Sequence, residues 1–335
     1  SISGTTYTQG ASDCTLTAQW TANTIKLTLN ANGGSGHTTT VYFKYGINKF
    51  YTDAACTQQI TAITRPTRTG YTYNATKGFC GDGSSGGTNG ERYISYEGTE
   101  FASDLCTDIY KDATLYCQWT ANSYTLTVNP NGGSWNSATS NSSFTLAYGG
   151  TKTIANPTRT GYAFAGWTVS GGGSISGTTY TQGAGNCTLT AKWTANAVNY
   201  TVRHWKMNLS GSGYTEDTAS RQTLAANADS TVTLANLKKS FTGFTYKEGK
   251  VGSTVKTTAT VLPDGSLVID LYYTRNQYTV TVNKGTGISS VTGGGTYYYG
   301  ASVTVNATVG TGYTWKNWTG SSSSTNQQYT FTMGA

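Results

Sequence analysis

Few groups in this 335-residue chain can do nucleophilic, metal or acid–base chemistry: six cysteines, two histidines and 15 aspartates plus glutamates. A triad or a zinc site would have to be built around His37, behind a Gly-Gly turn, or His204, on an alternating stretch beside Trp205. Neither sits in a recognisable arrangement. The sequence holds no Gly-x-Ser-x-Gly, no phosphate-cradling loop ending in Gly-Lys-Ser/Thr, no His-Glu-x-x-His and no EF-hand loop. The Gly-rich run from Cys80 to Glu91 lacks the lysine and following helix that phosphate binding needs, so it reads as an exposed hairpin or loop. The expectation is a protein that is not an enzyme and uses no cofactor or metal.

Cys14, Cys56, Cys80, Cys106, Cys117 and Cys187 include no Cys-x-x-Cys pair, which argues against zinc and for an oxidised framework in an exported chain. Cys56, Cys80, Cys106 and Cys117 share one long Gly-rich stretch and are expected to form two bridges, each worth roughly 2–4 kcal/mol. All three connectivities stay open. Cys14 and Cys187 occupy equivalent positions with no local partner and are expected as buried free thiols.

The elements that carry these residues repeat. Residues 1–23, SISGTTYTQGASDCTLTAQWTAN, return at 174–196 with changes only at Ser12, Asp13 and Gln19. Diverged copies of the same ending are ATLYCQWTAN, closing at Asn122, and LVIDLYYTRN, closing at Asn276 with Tyr273 in place of the tryptophan. Each ending precedes an alternating stretch, from Ile25, Tyr124, Asn199 and Tyr278, that reads as a half-buried strand. The division expected is a closing strand at 1–23 and segments at 24–122, 123–196, 197–275 and 276–335, joined by linkers of a few residues. RPTRTGY from Arg65 and NPTRTGYAFAGW from Asn156 read as loop, glycine turn and aromatic strand, with GFTY from Gly243 and GTGYTWKNW from Gly310 as equivalents. Helix fits only weakly, near Ala225–Ser240 or after Glu97.

Strand alternation places Cys14, Leu16, Ala18 and Trp20 on one face and threonines on the other. The core anchors expected are therefore Trp20, Trp119, Trp167 and Trp193, with Tyr273 as the substitute in the third segment. Only 36% of residues are hydrophobic and 11% charged, while 42 are glycine, a profile of short strands and tight turns. Twenty-five tyrosines, nine phenylalanines and eight tryptophans supply aromatic area that disordered chains lack. The net charge of +7 is scattered, which argues against a nucleic-acid partner. No apolar stretch is long enough for a membrane span.

The succession of YTLTVNPNGG from Tyr124, PTRTGYAFAGW from Pro157 and TLTAKW from Thr188 resembles the Listeria-Bacteroides repeat, the B-repeat of internalin-type surface proteins. Segment 24–122 resembles a longer variant. Segment 197–275 resembles the mucin-binding-protein type of repeat, through NYTVRHWKMNLSGSGY from Asn199 and LPDGSLVIDLYYTRNQY from Leu262. Segment 276–335 is similar to divergent bacterial surface repeats through YTVTVNKGTG and GYTWKNW. These resemblances imply small β-grasp-like modules in tandem, a cell-surface location and a role as stalk or adhesive spacer.

The expected partners are adjacent repeats or further copies of the chain, then cell-surface glycans or proteins. Segment 276–335 ends in QYTFTMGA, which parallels TTYTQGA just before the closing strand in other copies. Residues 1–23 are therefore expected to pair with a preceding repeat, either covalently linked in a much longer tandem-repeat chain or in another copy. The readings rank as adhesive or structural repeat segment, subunit of a filament built by head-to-tail strand addition, and carbohydrate-binding module. The last would need a row of exposed aromatics such as Tyr297, Tyr298 and Tyr299.

Overall fold

A computed structural model describes residues 2–81, 92–94 and 109–334, so Cys106 and the proposed helix after Glu97 lie outside the described residues. The chain is mainly β, a tandem series of small β-grasp-like mixed sheets. Contacts gather it into two compact units, Ser1–Asn129, Asn141–Ile154 and Thr168–Thr190 in one, Pro130–Ser140, Ala155–Trp167 and Ala191–Ala335 in the other. Segment 123–196 contributes to both.

In the first unit the strand Thr24–Asn30 alternates as the sequence requires, with Ile25, Leu27 and Leu29 at most 2% exposed. One edge runs antiparallel to Thr40–Lys44, pairing Leu27 with Val41, and the other runs parallel to Ala113–Cys117, pairing Leu29 with Leu115. The apolar face closes over Phe43, Phe50, Phe79 and Cys117. The strand Ser123–Asn129 repeats the arrangement, antiparallel to Ser142–Ala147 and parallel to the long strand Thr179–Ala195, with Leu126 beside Cys187 and Val128 beside Leu189. Burial of such side chains, about 1.5–3 kcal/mol each, is what holds these small sheets together.

In the second unit Ala197–Met207 is antiparallel to Gln222–Asn227 and parallel to Val268–Arg275, which pairs Val202 with Ile269 and His204 with Leu271. Its core gathers Leu234, Val261, Leu267, Leu271 and Tyr273. The only helical turns among the described residues are 3₁₀, at Thr218–Ser220 and Leu234–Leu237. Gln277–Val280 pairs with Gly295–Tyr298, and Ile288–Thr292, Ser302–Val309 and Gln328–Thr332 form a separate sheet. Among the described residues no closing strand lies parallel to Gln277–Val280.

Three expectations need correction. Trp20 is 91% exposed, not a core anchor, because residues 8–23 join no sheet and an isolated strand has nothing to bury against. The 1–23 stretch forms only a hairpin of Ile2–Ser3 with Thr6–Tyr7, and Cys14 is exposed while its counterpart Cys187 is buried. Nor do disulfides link Cys56, Cys80 and Cys117 to one another, and the fourth cysteine of that expectation, Cys106, lies outside the described residues. Cys117 faces Phe79 across the antiparallel pair and Cys80 faces Tyr116, so the two cysteines leave opposite sides of the sheet. Cys56 sits apart, in a turn at φ +58°.

Candidate repeat-joining interface

Among the described residues one four-residue turn, with glycine third and an aromatic last, occurs four times. In Arg68–Tyr71, Arg159–Tyr162 and Phe241–Phe244 the N–H of the last, aromatic residue donates to the first residue's carbonyl at 3.1 Å, and in Gly310–Tyr313 at 3.2 Å. The third residue is always glycine, at φ +79° (Gly70), +76° (Gly161), +77° (Gly243) and +84° (Gly312). A side chain there would cost roughly 1–2 kcal/mol in backbone strain alone.

The glycine carbonyl is where the next segment attaches. Strands end at Ala121, Ala195 and Arg275 and restart at Ser123, Ala197 and Gln277, so one residue separates them, an asparagine each time. Asn122, Asn196 and Asn276 each donate their backbone N–H to the preceding glycine, Gly70, Gly161 and Gly243, at 2.9 Å. Their own carbonyls accept from the N–H of Tyr148 at 2.8 Å, Ala228 at 2.9 Å and Tyr299 at 2.9 Å. These three linkers are thus stitched on both sides through main-chain groups, so neither their N–H nor their C=O is left unpaired.

A covering group from the following segment then seals the glycine. A Cβ on Gly70 would lie 2.3 Å from the Tyr148 ring, one on Gly243 2.1 Å from Tyr299, and one on Gly161 2.6 Å from Pro263. Tyr148 meets Tyr71 edge-on at 5.3 Å and Tyr299 meets Phe244 at 6.1 Å, geometries favoured by the ring quadrupole. An arginine lies over each aromatic: Arg68 is 4.0 Å from the Tyr71 centroid, Arg159 3.8 Å from Tyr162, and Arg275 4.6 Å from Phe244. At the Asn196 junction the Tyr162 hydroxyl donates to Asp229, which raises the phenol pKa, and Arg159 approaches the same carboxylate at 3.6 Å.

Two of the residues expected as anchors, Trp119 and Trp193, lie against the Asn-Gly-Gly turns. Trp119 donates its indole N–H to the Ala31 carbonyl at 2.9 Å, and Trp193 donates to Pro130 and Asn131 at 3.1 and 3.0 Å. Each indole lies where a Cβ of the second turn glycine would go, 2.6 Å for Gly34 and 2.5 Å for Gly133, which explains the paired glycines after Asn32 and Asn131. Both indoles are half-buried. Trp167 packs edge-on to Phe164, itself against Trp193. Tyr273 is 1% exposed and its hydroxyl accepts from the Lys239 N–H at 2.9 Å while meeting His204 Nδ1 at 3.0 Å. The Gln222 Oε1 at 3.2 Å can only accept, so Nε2 carries the proton of the neutral ring and Nδ1 accepts from the Tyr273 hydroxyl. Burial lowers the His204 pKa, consistent with this neutral ring.

His37 donates to the Leu29 carbonyl at 2.9 Å, far from His204 in sequence and in a different unit. Burial raises the Cys117 thiol to about 12, beyond useful thiolate chemistry at neutral pH. No group of three or more His, Cys, Asp or Glu able to hold a metal occurs among the described residues. Tyr297, Tyr298 and Tyr299 are half-buried, with Tyr297 bonded to Gly293 and Tyr299 engaged on Gly243, so they form no open aromatic row.

Sequence reasoning found the glycine turns and missed the rest of the junction. The missed signal was Tyr-Gly at 45–46, 148–149 and 299–300, together with an asparagine closing every Trp- or Tyr-anchored strand.

Two stretches of this chain match B-repeat families. Residues 124–192 match the Listeria-Bacteroides repeat domain, and residues 278–335 match the divergent InlB B-repeat domain. A relative from Evansella cellulosilytica named as a membrane protein is 28% identical over 191 residues, 55% of this chain. The chain spans about a quarter of that relative's length, 24%. The first match includes the Gly161 turn and ends one residue short of Trp193, while the second includes the Gly312 turn. No helix among the described residues is long and apolar enough to cross a membrane.

Proposed function

We propose that the chain is a structural and adhesive segment of an extracellular surface protein, in which successive repeats hold one another through the glycine–asparagine junction. The observation that carries this reading is the junction itself, built from equivalent atoms at Asn122, Asn196 and Asn276 although the segments differ in length and sequence. Short loops and single-residue linkers suit a load-bearing spacer, because a stitched junction transmits force through main-chain hydrogen bonds. The B-repeat matches and the membrane-protein relative support placement at the cell surface. The mucin-type resemblance of segment 197–275 makes it the part through which adhesion to a glycoprotein would run.

Single-molecule pulling of the chain tests the spacer role. Discrete, successive unfolding events support it, and featureless extension at low force overturns it. Labelling of intact cells of the source organism by an antibody to the chain tests the location.

A further inference from the structure

Two of the turns share the sequence Arg-Thr-Gly-Tyr and differ in what meets them. At Arg159–Tyr162 a carboxylate is in place: Asp229 Oδ2 accepts from the Tyr162 hydroxyl and lies 3.6 Å from Arg159 Nη2. Arg68–Tyr71 reproduces the receiving groups, with the guanidinium over the ring at 4.0 Å and the turn hydrogen bond at the same 3.1 Å. The carboxylate does not recur. Asp229 follows Ala228, whose N–H meets the Asn196 carbonyl, and its counterpart after Tyr148, whose N–H meets the Asn122 carbonyl, is Gly149. The two residues match in backbone, at φ +60° and +76°, and their N–H groups donate to equivalent carbonyls, Val261 at 2.9 Å and Gln182 at 2.8 Å.

A pair of donors suited to a carboxylate is therefore left without one. Among the described residues Arg68 pairs with no acidic side chain and the Tyr71 hydroxyl has no hydrogen-bond partner. Arg68 gives one of its several N–H donors to the Asn32 carbonyl, Nη1 at 3.0 Å, which fixes the guanidinium and leaves the rest of its fork for a ligand.

The surroundings decide what kind of carboxylate fits. Arg68 and Tyr71 open on a groove of about 360 Å³, lined also by Gly33, Ser35, Thr67 and Thr69, with Tyr148 as one wall. All of these residues lie in the first unit, and the volume falls within the roughly 300–1,000 Å³ of small-molecule sites. Three hydroxyls around a fixed cation suit a polyhydroxylated acid, whereas an apolar acid would leave them unpaired.

We propose that this groove binds the carboxylate of an acidic sugar, a hexuronate or a sialate: Arg68 and the Tyr71 hydroxyl hold the carboxylate as Arg159 and Tyr162 hold Asp229, and Ser35, Thr67 and Thr69 meet the sugar hydroxyls. The spacer role does not depend on it, because the junction is joined through main-chain hydrogen bonds whether or not a sugar binds.

Titration of the whole chain with D-glucuronic acid and with N-acetylneuraminic acid, followed by ligand-observed NMR, tests the proposal and separates the two sources, with glucose and acetate as controls. The expected result is saturable binding of at least one acidic sugar, about tenfold or more tighter than either control and weakened about tenfold or more by Arg68→Gln. Arg68 also holds the Asn32 carbonyl, so Gly149→Asp provides a second variant that removes no contact. It supplies the internal carboxylate at a position with nothing within 4 Å of its Cβ, in a backbone conformation that Asp229 already adopts, and is expected to block the sugar while the chain still melts cooperatively. No saturable binding of either acid, binding indifferent to Gly149→Asp, or equal binding of glucose or acetate overturns the proposal. So does a polyglutamate peptide that competes more strongly than both sugars, which would assign the groove to acidic protein segments instead.

Discussion

Residues 174–196 and residues 1–23 carry nearly the same sequence in opposite states. In the former, Cys187, Leu189 and Ala191 are at most 2% exposed, in parallel register with Leu126–Asn129, and the Trp193 indole is pinned over Gly133. In the latter every residue from Asp13 to Trp20 is exposed and unassigned to any strand. The threonine-rich outer face, the alternation and the terminal tryptophan are common to both, so none of them suffices to make a strand. What differs is the presence of an edge with apolar side chains in register, which offsets the roughly 1–2 kcal/mol per residue of backbone entropy lost on ordering.

That comparison can be broken most decisively in the buried copy. Leu189→Ala should cost about 2–5 kcal/mol of unfolding free energy, while Leu16→Ala should stay within about 0.5 kcal/mol of the parent, both read by denaturant titration. Equal losses would mean that residues 1–23 fold against the chain in solution. Trp193→Ala should follow, at the lower end of about 3–5 kcal/mol because the indole is half-buried, with Trp20→Ala thermally silent.

The contrast between covered and uncovered positions is sharpened by the turn glycines, of which Gly312 has nothing within 4 Å of its Cβ position. Gly312→Ala should cost only the left-handed backbone strain, roughly 1–2 kcal/mol. Gly70→Ala should cost more, since its methyl would also displace the Tyr148 ring, and differential scanning calorimetry would order the two.

The smallest effect separates tyrosine-anchored from tryptophan-anchored closing strands. His204 is neutral in the fold, with its pKa held below the ordinary 6.5, so the unfolded chain binds the proton more readily. Its stabilising contribution is present above about 6.5 and is lost as the pH falls from there toward the lowered folded value. Melting of the 197–275 segment should therefore weaken on mild acidification, and His204→Gln should flatten that slope while leaving the Trp193 region unchanged.

Much of this fold was legible because it depends on side-chain chemistry. Alternation marked Thr24–Asn30 and Ser123–Asn129, and Asn-Gly-Gly marked the turns that the indoles cover. The tyrosine at 273 stood out as the substitute for tryptophan, though not the histidine that partners it. The junction was illegible for a physical reason: its binding atoms are the N–H and C=O of Asn122, Asn196 and Asn276, groups every residue but proline possesses. The exposure of Trp20 was equally hidden, because a sequence specifies which face of a strand is apolar without specifying the edge it will meet. That Cys80 and Cys117 do not pair with each other was hidden as well, because spacing says nothing of which sheet face each sulfur leaves from.

A joint made from main-chain atoms, one glycine and one covering ring makes few demands on the rest of either neighbour. Segments as different as 24–122 and 197–275 share it, so duplication, loss or exchange of a whole unit in the gene would leave the remaining joints chemically intact. Such a chain can change its length over generations without first re-evolving how its parts fit.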